Sequence, residues 1–400
     1  MKNTPELLAP AGSLEKLKFA YQYGADAVYA GLPIFSMRKH VNKFTISEIK
    51  QGIAYAHNLK KKFYLTCNTT PHDAELKKLP KLLKSLSDDP PDAVVLEDMG
   101  VMTQVKKILP KTGIHLSVQA YTVNSASAKW WQQVAQVKRI ILARDLSLAE
   151  ITKIHQAVPR LELEVFVHGA VCMAKSARCF LSLHLSQRDA NRGDCAQSCR
   201  WQYKLVEEKR PHEYLPLEET AGGIRIFSSK DLCLIEYLAK LKKAGVTSFK
   251  IEGRNKNLFY LAIVVRTYQQ VLNKKMSIKK SLTELNTLPH RGYSTGFFTG
   301  KKLTKKDYQL NSSGLLAHNF LGLVRRYSPA EKKVTLEVRN RIKKEDQGEW
   351  LTPDKILPEK ISDLENMDKE KITIAHAGQK NMIKIPTKYE LPVGTILRKK

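Results

Sequence analysis

Eight short apolar runs, most of them followed by an amphipathic stretch, set what this chain can fold into. They are Glu6–Ala9, Asp26–Ala30, Lys62–Cys67, Asp92–Leu96, Ile114–Val118, Arg139–Ala143, Leu163–Val167 and Thr247–Ile251. Most are rich in Val, Ile, Leu or Phe, the composition of strands buried on both faces of a parallel sheet. Leu14–Tyr23, Ile46–His57, Glu75–Leu86, Val123–Val134 and Leu146–Ala157 carry a helical period between them. Ser13, Asn124 and Ser147 stand where helices would start, with side-chain oxygens able to accept first-turn N–H groups. Eight β/α units in a row predict an α/β protein with a TIM-like (β/α)8 barrel. A doubly wound open sheet is the alternative, but no G-x-G-x-x-G follows the first run, which disfavours a dinucleotide fold.

In such a barrel the chemistry sits on the loops after the strands. Those loops hold Asn68, Gln119, His168 and the pair Glu252 and Arg254. Arg is the natural bidentate partner of a carboxylate, so Glu252 and Arg254 are candidates to orient a carboxylate substrate; a structural ion pair closing the barrel is the plainer reading. His168 is a candidate proton shuttle, or a hydrogen-bonded histidine ending a strand. Asn68 and Gln119 suit hydrogen bonding to a base edge, or loop capping. After a helix from Asn257 through Val271 the pattern changes. From Leu321 short strands alternate in L-G-L-V-R-R-Y and V-T-L-E-V-R-N. Two domains are expected: residues 1–310 as the barrel with a Cys-rich insertion at 169–246 after strand seven, and 314–400 as a small β-barrel.

The insertion concentrates thiols. Five of six cysteines fall between Cys172 and Cys233, and four follow the spacing Cys172-x6-Cys179-x15-Cys195-x3-Cys199. No long apolar h-region follows the first Met, so no secretory leader and a cytoplasmic, reducing setting are expected. Clustered reduced thiols bind metal or do redox chemistry. The gaps match neither paired zinc hairpins nor ferredoxin runs. Cys172, Cys179, Cys195 and Cys199 are the candidate ligands. Cys233 is the alternative fourth, expected at a helix start where its thiol would ionise readily. Cys67 sits in an apolar strand and reads as core. A nucleic-acid-binding protein with a structural zinc remains the rival class.

Net charge is +28, from 67 Lys and Arg against 39 Asp and Glu. Such an excess favours a polyanion, nucleic acid first. Arg178, Arg200 and Trp201 flank the thiols and suit phosphate pairing or base stacking, though Trp201 fits packing on the insertion better. No apolar stretch approaches a membrane span, so no membrane partner is expected.

Ordered motifs along the whole chain resemble the peptidase U32 family. They are E-L-L-A-P-A-G-S, G-A-D-A-V-Y-A-G, H-L-S-V-Q-A, E-V-F-V-H-G-A-V-C-M-A-x3-R-C, R-G-D-C-A-Q-S-C-R-W, S-K-D-L-C, F-K-I-E-G-R and H-R-G-Y. Among its members the chain is most similar to those that hydroxylate tRNA. That resemblance implies a tRNA uridine hydroxylase making 5-hydroxyuridine at the wobble position. It also implies a 4Fe-4S cluster on the cysteines and prephenate as co-substrate. A homologous partner of the same family, or an iron–sulfur electron donor, is a further expected partner beside tRNA. The family's historical label is collagenase-like peptidase. The residues lend it little, with no H-E-x-x-H helix and no G-x-S-x-G elbow. A Cys172–His168 dyad is the one arrangement that would serve. Two departures stand out: Ala177 where the family has Gly, and Lys343-Lys-Glu-Asp346 where a Gly-Asp turn is common.

Overall fold

Parallel strand pairing runs in an unbroken circle through the first two-thirds of the chain. The computed structural model describes residues 4–172, 178–201, 219–220, 223–224, 230–300, 320–378 and 381–400. Strands β1 (Glu6–Pro10), β2 (Ala27–Ala30), β3 (Lys62–Cys67), β4 (Ala93–Leu96), β5 (Gly113–Leu116), β6 (Arg139–Ile141), β7 (Glu162–Gly169) and β8 (Val246–Ile251) pair in that order. β8 then pairs with β1, Glu6 opposite Ser248, and the barrel closes. All eight expected runs are strands, displaced by a residue or two at their ends.

Helices cover the outside: α1 (Leu14–Gln22), α2 (Ile46–Asn58), α3 (Leu79–Ser85), α4 (Met99–Ile108), α5 (Ser125–Gln133), α6 (Leu148–Ala157), α7 (Leu258–Leu272) and α8 (Ile278–Leu285). Their starts are set by side chains. Ser13, Asn124 and Asn257 accept the N–H groups of Lys16, Ser127 and Tyr260, and Ser147 with Glu150 forms a reciprocal capping box. The expected helix Glu75–Leu86 is instead split into a turn at Asp73–Leu76 and α3. Pro80 lacks the N–H that would bond the Leu76 carbonyl, so it opens a new helix.

The barrel interior begins with a buried ionic layer. Arg139, 3 % exposed, contacts Glu6, Glu162 and Glu164, and the Lys250 ammonium donates to Glu164 at 2.8 Å. Tyr64 donates to Glu6 at 2.6 Å. Here opposite charges meet in pairs, as buried charges must.

The C-terminal part, expected as a small β-barrel, is an antiparallel β-sheet domain. β9 (Phe320–Ser328), β10 (Lys333–Val338), β11 (Gln347–Leu351), β12 (Ile356–Lys360), β13 (Leu364–Glu365), β14 (Lys371–Ile372), β15 (Met382–Pro386) and β16 (Ile396–Lys399) form one sheet. Its spatial order is β12-β11-β16-β9-β10-β15-β13-β14. The sheet packs on its own core around the fully buried Trp350. The turn at Lys343–Asp346 is built without glycine: Glu345 takes φ +73° and the Lys343 N–H bonds the Asp346 carboxylate at 2.8 Å.

The β domain is fastened to α1, α7 and α8. Tyr23, 1 % exposed, sets its hydroxyl 2.9 Å from the carbonyls of Leu351 and Gly394. Phe259 stacks on Phe320, and Arg398 bridges Glu284 and Glu349. Phe320, Leu323, Leu351 and Ile396 belong to the same apolar cluster as the barrel.

A candidate anion site beneath a thiol-bearing mouth

At the C-terminal end of the strands the charge pairing breaks down. Glu252 follows β8 directly and is 8 % exposed. Its carboxylate accepts from the Tyr29 hydroxyl at 3.2 Å and lies 3.7 Å from Arg38. Burial alone would raise its pKa, but Arg38, Arg144 and Arg254 outweigh that and hold it below the usual carboxylate range. Three guanidiniums thus surround one carboxylate.

Each arginine is fixed by its neighbours. The Arg254 Nη1 donates to Ser36 Oγ at 2.7 Å, and its Nε is buried with no acceptor. Burial pushes its pKa down, an effect that Tyr29 and Glu252 oppose and Arg38 reinforces. Arg144 lays its guanidinium over the Phe166 ring at 3.9 Å and donates to the Ala170 carbonyl at 3.1 Å. Arg38 sits at φ +68° on the loop after β2. Two glycines make the crowding possible. A Cβ on Gly31 would lie 2.2 Å from Thr66 Oγ1, and one on Gly169 would lie 2.4 Å from the Glu252 carbonyl.

The expected site residues fall into separate groups. Glu252 and Arg254 come together in this arginine cluster. Asn68 and Gln119 also meet, Asn68 Nδ2 donating to Gln119 Oε1 at 2.8 Å. Arg178 approaches Glu97 to 3.9 Å while remaining largely exposed. The Arg200 side chain lies outside the described residues. Trp201 is 41 % exposed.

His168 is placed apart, in a wall of tyrosines. Its ring lies 5.9, 5.4 and 5.5 Å from those of Tyr260, Tyr268 and Tyr293, and Nδ1 is 3.3 Å from the Tyr268 hydroxyl. Burial pushes its pKa down to about 3, so the imidazole is neutral at pH 7. Cys172 is exposed, and among the described residues no hydrogen bond joins it to His168.

None of the six cysteines is in a disulfide. Cys172 and Cys195 both lie near enough to Arg38 to favour its charge. Cys195 Sγ accepts the Gln197 N–H at 3.3 Å, and the Cys179 N–H bonds Asn191. Residues 173–177, between Cys172 and Cys179, lie outside the described residues. Soft thiolate donors beside a guanidinium suit an anionic iron–sulfur cluster by their chemistry. Among the described residues, no three His, Cys, Asp or Glu side chains are gathered to hold one metal ion.

Cys233 differs from expectation. It ends a short strand, Asp231–Cys233, antiparallel to β7 and opposite His168, two residues before a helical turn at Ile235–Tyr237, and its thiol is not the readily ionised one expected. Burial raises its thiol pKa, and its sulfur lies 3.7 Å from the Tyr268 hydroxyl. Cys67 is buried, with its pKa pushed up to about 12, as a core thiol should be.

Sequence reasoning missed Arg38, Arg144 and Tyr29. Arg144 lies three residues beyond β6, which was a usable signal; Arg38 lies eight residues beyond β2 and carried none.

A closed (β/α)8 barrel with a thiol-bearing lobe at its mouth and a docked antiparallel β domain defines the architecture. The chain belongs to peptidase family U32: residues 12–308 match that family's domain and residues 317–398 match its C-terminal domain. It is 36 % identical to the tRNA hydroxylation protein P of Escherichia coli, covering 98 % of this chain and 96 % of that one. It is 35 % identical to the 23S rRNA 5-hydroxycytidine C2501 synthase of the same organism, over 67 % of this chain and 39 % of that one. It is 30 % identical to a Porphyromonas gingivalis protein named collagenase, over 80 % of each. No helix among the described residues is long and apolar enough to cross a membrane.

Proposed function

We propose that this chain is an RNA-hydroxylating enzyme of the cytoplasm. It converts the wobble uridine of tRNA to 5-hydroxyuridine, with prephenate as co-substrate. The observation that carries this reading is the uncompensated cluster of Arg38, Arg144 and Arg254 around Glu252. Prephenate bears two carboxylates, and two negative charges neutralise what Glu252 leaves over. The unpartnered Arg254 Nε is a buried donor that a ligand carboxylate would satisfy. Full-length similarity to a tRNA hydroxylation protein and the charge of +28 support RNA as the other substrate.

Cys172, Cys179, Cys195 and Cys199, with Cys233 as the alternative fourth ligand, would hold a 4Fe-4S cluster supplying redox chemistry or an open iron. The chain's own residues do the positioning. Arg254 and Arg38 orient the acid, Ser36 holds Arg254 and Tyr29 holds Glu252 in place, and the closed barrel below excludes water. A homologous protein or an electron donor completes the set of expected partners.

A peptidase needs a nucleophile beside a base poised near neutral pH. His168, with a pKa near 3 and a tyrosine wall around it, does not support that role. The test is expression of this chain in a bacterial strain devoid of wobble hydroxylation, followed by mass spectrometry of tRNA nucleosides. Appearance of 5-hydroxyuridine is expected with the wild type and not with Arg254→Met. Its absence with the wild type, in cells making prephenate and loading iron, overturns the reading.

A further inference from the structure

Glu97 follows β4 at the mouth and belongs to none of the groups above. Its side chain is 9 % exposed. Oε1 accepts from the Thr70 hydroxyl at 2.8 Å. Oε2 is sealed from water and receives no hydrogen bond. Arg178 lies 3.9 Å away, beyond hydrogen-bond reach, and its side chain is 73 % exposed, so solvent screens the pair. A carboxylate oxygen buried without a donor is costly, and it persists where a ligand brings the donor.

The neighbouring strand ends tell what kind of ligand. β3, β4 and β5 are adjacent, and the segments after them carry Asn68, Glu97 and Gln119. Asn68 is oriented by the Met37 N–H on its oxygen at 3.2 Å and by Gln119 on its nitrogen. Gln119 Oε1 also accepts from Ser117 at 3.0 Å. Two locked amides and one carboxylate oxygen lacking a donor thus stand at three adjacent strand ends, a set of groups suited to a heterocycle with a ring N–H.

We propose that Glu97 selects uracil, its free carboxylate oxygen accepting the N3–H of the base to be modified. Uracil presents a donor at N3. Cytosine presents a lone pair there, which a carboxylate repels. Reading an extruded base along its Watson–Crick edge is how base-modifying enzymes discriminate. This selection rests on the tRNA reading above.

The experiment measures binding of the full chain, without prephenate, to two tRNA transcripts that differ only in U or C at the wobble position. The wild type should bind the U transcript about tenfold or more tightly, as a charge-assisted hydrogen bond provides. Glu97→Gln is isosteric and can both donate and accept, so it should bind the two within about threefold. Arg178→Ala should keep the wild-type preference. Equal wild-type affinities, or an unchanged preference in Glu97→Gln, overturn the proposal while leaving tRNA as substrate. Loss of the preference in Arg178→Ala also overturns it, since Glu97 would then serve the ion pair. Failure of the wild type to bind either transcript removes the tRNA reading itself, and this selection with it.

Discussion

Replacing Arg254 by Met keeps the reach of the side chain and removes one of three guanidiniums around Glu252. In the wild type Nη1 is held by Ser36 while Nε donates to nothing. A ligand carboxylate reached by two guanidinium donors gains two charge-assisted hydrogen bonds, each worth ~1.5–3 kcal/mol. Their loss should therefore weaken prephenate binding by at least about 3 kcal/mol, or about two orders of magnitude. Stability should respond quite differently. Burial and the nearby Arg38 both disfavour the Arg254 charge. Met leaves Glu252 with two guanidiniums, and exchanging a buried charge for an apolar group of similar volume is often neutral or stabilising, so the unfolding free energy should change by no more than about 1 kcal/mol. Calorimetric titration with prephenate and urea unfolding read the two effects on the same preparation. Unchanged affinity, or a stability loss of several kcal/mol, would show that Arg254 closes the barrel as an ion pair and does not serve a ligand.

Anaerobic iron analysis of cysteine variants should show iron lost from Cys172→Ser, Cys179→Ser and Cys195→Ser, and from one of Cys199→Ser and Cys233→Ser, while Cys67→Ala keeps it; full retention in the first two, or zinc in place of iron, refutes the cluster. Arg139→Met takes from Glu6 its buried partner and leaves Glu164 with Lys250 alone, and breaking such a buried network should cost about 3–5 kcal/mol in urea unfolding. Glu6 also sets a pH dependence: burial would raise its pKa, but Arg139 holds it below the usual value, so its contribution is present above about pH 4.3 and lost as pH falls through the folded value. Wild-type stability should therefore fall on acidification from about pH 5 to pH 3, and Arg139→Met should lose less over that range. Glu345→Gly should stabilise the β domain by about 0.5 kcal/mol, because φ +73° is strained for Glu and its exposed pairing with Lys360 is weak. Affinity for tRNA should drop steeply and linearly in a plot of log K against log salt; a flat dependence argues against phosphate contacts.

The barrel was legible because its strands are short and apolar, and because side-chain caps mark where helices begin. The helix Met99–Ile108 was readable in principle from Asp98 as its cap and from Val101, Met102 and Val105 on one face. Glu252 and Arg254 could be picked out since they sit on the last strand's exit. Arg38 and Arg144 could not be joined to them, because only closure of β8 onto β1 and β7 brings the exits of β2, β6 and β8 to one place. The state of the Cys233 thiol was misjudged for a related reason. Its place just before a helical turn was legible, but the pairing with β7 across more than sixty residues, which buries the sulfur, was not.

The docking of the β domain also bears on how the polypeptide is made. Tyr23 emerges from the ribosome long before the partners of its hydroxyl, Leu351 and Gly394, which follow 328 and 371 residues later. Phe259 likewise waits for Phe320, and Glu284 for Arg398 in the last strand. A nascent barrel would thus be complete in its strand pairing while one flank still exposes apolar and ionic groups. Translation pauses between β8 and β16 would prolong that exposure and invite chaperone binding or aggregation. For the same reason a shortened product ending before β9 would not be a barrel with one function removed, but a barrel with an open wound along α1, α7 and α8.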